Sequence, residues 1–199
     1  GTLTDDWVDA MVKAGKKATS LGVPIILDPV GAGATALRTN AAKRILAETR
    51  VSVVRGNASE ILALAGAQAN TKGLDAADSV DQAADQAIRL AKELGVPVAI
   101  TGPQDLITDG SRVIRVTNGH PLMGAVTGTG CGATAVIAAF CGVDPDPVTA
   151  AASALAYYGL AGEWAATGAD GPGTFVPRFL DSIYNLAPTD LETHVKISQ

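Results

Sequence analysis

Residues 126–134, Val-Thr-Gly-Thr-Gly-Cys-Gly-Ala-Thr, hold the densest set of groups that could do chemistry. Gly128, Gly130 and Gly132 alternate with Thr129 and Cys131, and an apolar run over residues 135–140 follows at once. The pattern predicts a tight loop opening into a buried helix. Such a loop turns backbone N–H groups toward one point. The helix start adds unpaired N–H groups and the positive end of its dipole. Together they make an anion site, and the usual anion is a phosphate. Gly128, Thr129 and Gly130 would surround it. Cys131 brings a thiol to the junction of loop and helix, which makes it the candidate catalytic group. The plainer reading of the same stretch is a flexible glycine turn with a buried cysteine.

Three further side chains close short apolar runs rich in Val and Ile. Asp28 follows residues 23–27, Arg55 follows residues 51–54, and Thr101 ends residues 96–101. Runs of this kind read as buried strands, and ligands of open parallel sheets bind outside the carboxyl ends of the strands. A carboxylate, a guanidinium, a hydroxyl and an N–H nest would then converge on one edge. Arg55 suits a phosphate, and Asp28 suits a divalent cation reached through water. Each also has an ordinary role, since Asp before Pro forms turns and Arg at a strand end often makes a surface ion pair.

Asn57-Ala58-Ser59-Glu60 matches a capping box, in which Glu60 returns to the Asn57 N–H. The same spacing could place Glu60 beside Asp28, facing a magnesium–phosphate group. Residues 31–36 mimic a dinucleotide fingerprint, but Asp28-Pro29 stands before the glycines and would repel a pyrophosphate. No acid stands about twenty residues on; Arg50 and Arg55 flank that window. The P-loop signature is absent. His120 and His194 lie far from any Ser or carboxylate signature and read as ordinary polar residues.

Thr4 reads as the cap of a helix ended by Gly22, with Trp7, Val8, Met11 and Val12 at helical spacing. Further helices are predicted over residues 40–49, 57–66, 78–94, 131–141 and 147–166. Phe175, Phe179, Leu180 and Ile183 mark a last one. Residues 67–75 read as a polar loop. Asp109-Gly110, between residues 105–108 and 112–117, is a hairpin turn signal. The tail from Pro188 is polar and reads as frayed. Buried strands alternating with helices imply an α/β fold, a mostly parallel central sheet with helices on both faces. One domain over residues 1–199 is expected.

A chain of 199 residues, 47% of them hydrophobic, can bury a core without disulfides, and the 4% of aromatics means that Ala, Val, Leu and Ile must build it. The formal charge of −5 argues against a nucleic-acid partner and an anionic membrane surface. No apolar run approaches the roughly 18 residues of a spanning helix. Cys131 and Cys141 on one helix would be about 15 Å apart, too far for a disulfide, and they lack metal-ligand spacing. A reducing, cytoplasmic setting is expected. The chain opens Gly1-Thr2-Leu3 without a Met, as a fragment or a processed product would.

Several stretches together resemble the hydroxyethylthiazole kinases, ribokinase-like enzymes of thiamine salvage. They are Leu27-Asp28-Pro29-Val30-Gly31-Ala32-Gly33-Ala34-Thr35, Arg55-Gly56-Asn57-Ala58-Ser59-Glu60, Ile100-Thr101-Gly102, Thr108-Asp109-Gly110, residues 119–123, Gly128-Thr129-Gly130-Cys131 and Gly171-Pro172-Gly173-Thr174-Phe175. They run in the family's order over nearly the whole chain. The resemblance implies ATP-dependent phosphorylation of the hydroxyl of 4-methyl-5-(2-hydroxyethyl)thiazole. It also implies ATP contacts at Arg55 and Thr101, a substrate contact at Gly128, acids near Mg2+ at Asp28 and Glu60, and Cys131 beside the acceptor hydroxyl. A homotrimer with sites at subunit interfaces is expected. The family carries further strands and a helix ahead of the position of Gly1, including part of the thiazole pocket, and this chain resembles it without that segment. Two other readings stand beside the kinase. One is an ADP-dependent hydro-lyase of the same fold, against which Cys131 argues because that loop usually carries Asp. The other is a non-catalytic nucleotide-binding subunit.

Overall fold

A computed structural model of the chain describes residues 2–66 and 76–199, so the polar loop expected over residues 67–75 lies outside them. The chain runs α1 (Asp5–Leu21), β1 (Ile26–Leu27), α2 (Ala36–Glu48), β2 (Val53–Asn57), α3 (Ala58–Leu64) and α4 (Ala76–Leu94). It continues with β3 (Val98–Thr101), β4 (Asp105–Thr108), β5 (Val113–Val116), a short 3-10 turn (Pro121–Met123) and α5 (Thr129–Cys141). The last elements are α6 (Pro147–Thr167), α7 (Pro172–Asn185), α8 (Pro188–His194) and β6 (Ile197–Ser198). Among the described residues, no helix is long and apolar enough to cross a membrane.

The strands form one sheet in the order β1-β2-β3-β4-β5-β6. The α/β architecture is the expected one. The sheet is mixed rather than mostly parallel, because a hairpin and the tail strand extend it: β1, β2 and β3 run parallel, whereas β3 to β6 pair antiparallel. The reversal between β4 and β5 is the Asp109-Gly110 hairpin. Asp109 Oδ1 accepts the N–H groups of Ser111 and Arg112, and Gly110 takes φ +92°. The Arg112 guanidinium then reaches Asp146 with two bonds of 2.6 and 2.9 Å. Asp146 is the N-cap of α6, so the hairpin and that helix are fastened together.

Alternation along the strands splits the core in two, as a pleated sheet requires. Val54, Val98, Ile100 and Leu106 point to one face, with Val8, Val12, Ala41, Ile61, Ala87 and other residues of α1 to α4. Val53, Ala99, Ile107, Ile114 and Val116 point to the other, with residues of α5, α6 and α7 such as Ile137, Ala154 and Phe175. Helices therefore cover both faces. Arg55 lies opposite Ala99 and Asn57 opposite Thr101, so Arg55 and Thr101 share the face covered by α5 to α7.

Three boundaries differ from the sequence reading. β1 is only two residues long, and β2 begins later and continues through Arg55 to Asn57, so Arg55 is inside a strand and not beyond its end. The helix expected from Asn40 starts at Ala36, because the Thr35 hydroxyl caps it by accepting the Arg38 N–H. The tail is ordered by pairing. Ile197 lies opposite Val116 in β5, and the buried Asn118 reads the tail's backbone. Its Nδ2 donates to the His194 carbonyl (3.1 Å) and to Glu163 Oε1 (3.2 Å), and its Oδ1 accepts the Lys196 N–H (2.7 Å). A buried amide satisfied this fully holds a polar segment that composition alone marks as loose.

Asn118→Ala would remove the bonds to the His194 carbonyl and the Lys196 N–H, while Glu163 keeps the Gly119 N–H and the Lys196 ammonium. A loss of about 2–3 kcal/mol is expected, read as a lower urea midpoint, together with faster amide exchange at residues 195–198. A variant with wild-type midpoint and exchange would show that the tail is held by β5 pairing alone.

Candidate functional site

α5 begins as the glycine pattern requires. Gly128 is its N-cap with φ +99°, a conformation that an L side chain rarely adopts, and no side chain caps the helix. The first helical bond runs from the Gly132 N–H to the Gly128 carbonyl. The N–H groups of Thr129, Gly130 and Cys131 therefore precede the helix's own acceptors and are available to an anion. The Thr129 hydroxyl closes the loop by donating to the carbonyls of Met123 (2.8 Å) and Val126 (3.2 Å). Cys131 is exposed, so the buried-cysteine alternative does not hold. Cys141, at the other end of the helix, is buried, and burial pushes its thiol up to about 11.

Three of the expected residues meet directly. The Arg55 guanidinium donates to Asp28 Oδ2 at 3.1 Å and to Thr101 Oγ1 at 2.5 Å. The Thr134 hydroxyl, one turn after Gly130, donates to the same Asp28 oxygen at 3.0 Å. The ion pair is nearly enclosed, with 11% and 15% of the two side chains exposed. Arg55 Nε is buried without a hydrogen-bond partner among the described residues. Gly130 lies against this group: a Cβ there would stand 3.0 Å from an Arg55 nitrogen. The guanidinium and the α5 amides thus face one region.

That region is a cavity of about 600 Å3. Arg55, Thr101, Thr129 and Gly130 line it, with Asp105, Asn118, His120 and Tyr158 among the other wall residues. Gly128 and Cys131 belong to the same helix start but not to this wall. Glu60 realises the capping box: its Oε2 accepts the Asn57 N–H and the Asn57 side chain accepts the Glu60 N–H, both at 2.9 Å. Its other oxygen accepts the Gly31 N–H, also at 2.9 Å. Glu60 thereby holds the loop that follows Asp28.

Several residues of the site escaped the sequence reading, Asn118 among them. Thr134 carried a signal, since four residues on from Gly130 is the same helix face. Tyr158 sat in an alanine-rich helix with nothing local to mark it. His120 reads as an ordinary polar residue and caps the short turn, its Nδ1 accepting the Leu122 N–H. Asp105 opens β4 and is almost wholly buried, its Oδ1 accepting the Gly102 N–H at 3.0 Å. Burial pushes its carboxyl up to about 7, against the pull of that N–H and of Arg55.

The sign of the resulting pH effect is fixed. In the unfolded chain an Asp ionises near 3.9, within about a unit, so between there and about 7 the folded protein holds a proton that the unfolded chain releases. This contribution to stability is full below that range, falls as pH rises through it, and is level above. Asp105→Asn keeps an acceptor for Gly102 and cannot ionise. Urea midpoints from acid to neutral pH should fall less steeply for the variant than for the wild type; parallel curves would refute the assignment.

A sequence model of the hydroxyethylthiazole kinase family matches residues 1–189. The hydroxyethylthiazole kinase of Desulfotalea psychrophila is 57% identical over 199 residues, covering 100% of this chain and 73% of the relative. That of Desulfosudis oleivorans is 53% identical over 201 residues, with the same shares. Among solved structures, a hydroxyethylthiazole kinase protein from Pyrococcus horikoshii OT3 superposes with a TM-score of 0.89 at 40% identity, over 100% of this chain and 74% of that one. With a family match over almost its whole length and relatives this similar, the chain belongs to the hydroxyethylthiazole kinase family.

Proposed function

We propose that this protein transfers the γ-phosphoryl group of ATP to the hydroxyl of 4-methyl-5-(2-hydroxyethyl)thiazole. The observation that carries the reading is the meeting of a buried, oriented guanidinium with the free amides of α5 at one end of a cavity. That arrangement suits a phosphate chain, and the family membership supplies the acceptor. In the transfer a P–O bond forms to the alcohol oxygen, the bond to the β-phosphate oxygen breaks, and ADP leaves. Catalysis rests on positioning and charge stabilisation. Arg55 and Thr101 bind the phosphates, Gly128 touches the thiazole substrate, and the amides of Gly128 to Gly130 stabilise the moving group. Cys131, exposed at the helix start, takes the hydroxyl proton late in the step. The hydro-lyase and the non-catalytic subunit have no support in the structure or among the relatives.

Asp28 and Glu60 are the residues proposed to hold Mg2+. Their donor chemistry fits. Both offer hard carboxylate oxygens, and magnesium is commonly carried by one or two carboxylates with waters and phosphate oxygens completing its shell. Each carboxylate has about four lone-pair sites, so the bonds to Arg55, Thr134, Gly31 and Asn57 do not exhaust them. When bound, the ion neutralises phosphate charge. A homotrimer and a cytoplasmic location complete the proposal.

The test is ATP consumption with the thiazole alcohol, compared with a pyrimidine alcohol and ribose. Preference for either rival, or turnover independent of the thiazole, would sink the reading. Arg55→Ala should raise the KM for ATP by about ten- to a hundredfold, the worth of a charge-assisted bond, with less effect on the thiazole KM. An unchanged ATP KM would refute its role. Cys131→Asp should keep or raise activity, because a carboxylate of similar reach is ionised at neutral pH. Cys131→Ala should lower kcat while leaving ATP binding intact. An alanine variant as fast as the wild type would make the thiol a bystander.

A further inference from the structure

We propose that Tyr158 is a positioning residue for the phosphoryl transfer, its hydroxyl setting the orientation of the peptide group that presents the Gly130 N–H to the phosphate. The inference rests on the kinase reading for its functional consequence and on α5 and α6 for its geometry. The Tyr158 hydroxyl donates to the Thr129 carbonyl at 2.9 Å. The Thr129 carbonyl and the Gly130 N–H belong to one planar peptide unit, so fixing the oxygen fixes the direction of the N–H. Thr129 is also held through its side chain, which donates to Met123 and Val126. The unit therefore has two anchors, one on the loop and one on α6.

The anchor on α6 is stiff. Tyr158 is buried, and its ring stands edge-on to Phe179 with centroids 4.8 Å apart. Phe179 in turn stacks on Phe175 at 5.2 Å. Both come from α7, so a column of three rings backs the hydroxyl. The approach depends on Gly132: a Cβ there would lie within contact distance of the hydroxyl and 3.1 Å from the ring carbon that bears it. Tyr158 is also part of the cavity wall with Thr129 and Gly130, on the side where Arg55 stands. Burial pushes the phenol up to about 12, which keeps it a donor throughout the working pH range. A phenylalanine would fill the same space, so packing alone does not account for the hydroxyl.

Tyr158→Phe should lower kcat about tenfold, with the ATP KM changed less than about twofold, because the lost interaction serves positioning in the transition state. Gly132→Ala should lower kcat further by driving the hydroxyl off Thr129. In the double variant the added methyl no longer meets an oxygen, so it should be faster than Gly132→Ala alone. A readout without turnover accompanies these: in amide NMR spectra the Gly130 resonance should move in Tyr158→Phe while that of Gly102, whose N–H is held by Asp105, stays. A Tyr158→Phe protein with wild-type kcat, losses that multiply in the double variant, a kcat loss matched by loss of folded protein, or an unmoved Gly130 resonance would each overturn the proposal. A wild-type protein with no thiazole-dependent turnover whose Gly130 resonance still moves in the variant would instead overturn the kinase reading and leave the peptide anchor standing.

Discussion

A guanidinium held in the wall of a cavity is the constraint on which the rest of this structure depends. Removing Arg55 from water costs several kcal/mol, of that order for any buried ion. The cost is offset only where partners stand at bonding distance. Asp28 supplies the countercharge and Thr101 a hydroxyl, and Thr134 steadies Asp28 in turn. These four residues come from the end of β1, the middle of β2, the end of β3 and the first turns of α5. The parallel register sets the arrangement, with Arg55 opposite Ala99 and Thr101 two residues further along the same face. A slip of one residue would turn Arg55 toward α1 to α4 and leave Asp28 unpaired.

The composition of the core follows from the same requirement. α5 must bring its first turn down onto the sheet edge, and α6 must lie close beside it. Ala150, Ala151, Ala154, Ala161 and Ala165 are buried along α6, and their small side chains let the helix approach its neighbours closely. Aromatic residues are few, and three of them gather where reach is needed. Tyr158, Phe175 and Phe179 span from α7 through α6 to the start of α5.

The sequence showed what local physics controls. The α/β alternation, the hairpin at Asp109-Gly110, the cap at Thr4 and the glycine-led start of α5 all follow from backbone preference and periodicity. The meeting of Asp28, Arg55 and Thr101 was expected from strand ends, but the register of β2 on β3, with Arg55 inside β2, brings it about. What stayed hidden depends on distant partners. Arg55 looked like a strand terminator, since a charged residue inside a buried strand is tolerated only with Asp28 and Thr101 across from it. The tail looked frayed because Asn118 and β5, some eighty residues earlier in the chain, are what order it. Asp105 looked like the first residue of a polar hairpin, and its burial comes from the helices packed over β4. Glu60 was legible as a cap, but its bond to Gly31 was not.

Two carboxyl groups stand near one guanidinium, and their unequal surroundings divide the work between them. Asp28 is paired with Arg55 and accepts the Thr134 hydroxyl. Asp105 is buried, which pushes its carboxyl up to about 7 against the pull of the Gly102 N–H. Asp105 therefore opposes an incoming phosphate less at neutral pH than an ordinary, fully ionised carboxylate would. Of the five N–H donors on a guanidinium, Arg55 has committed one to Asp28 and one to Thr101, and its Nε–H is buried and unpaired. The remaining terminal N–H groups of Arg55, which lines the cavity, can meet a phosphate oxygen without displacing either partner. A guanidinium held in place by Asp28 and Thr101 before the phosphate arrives is the form of a preorganised site.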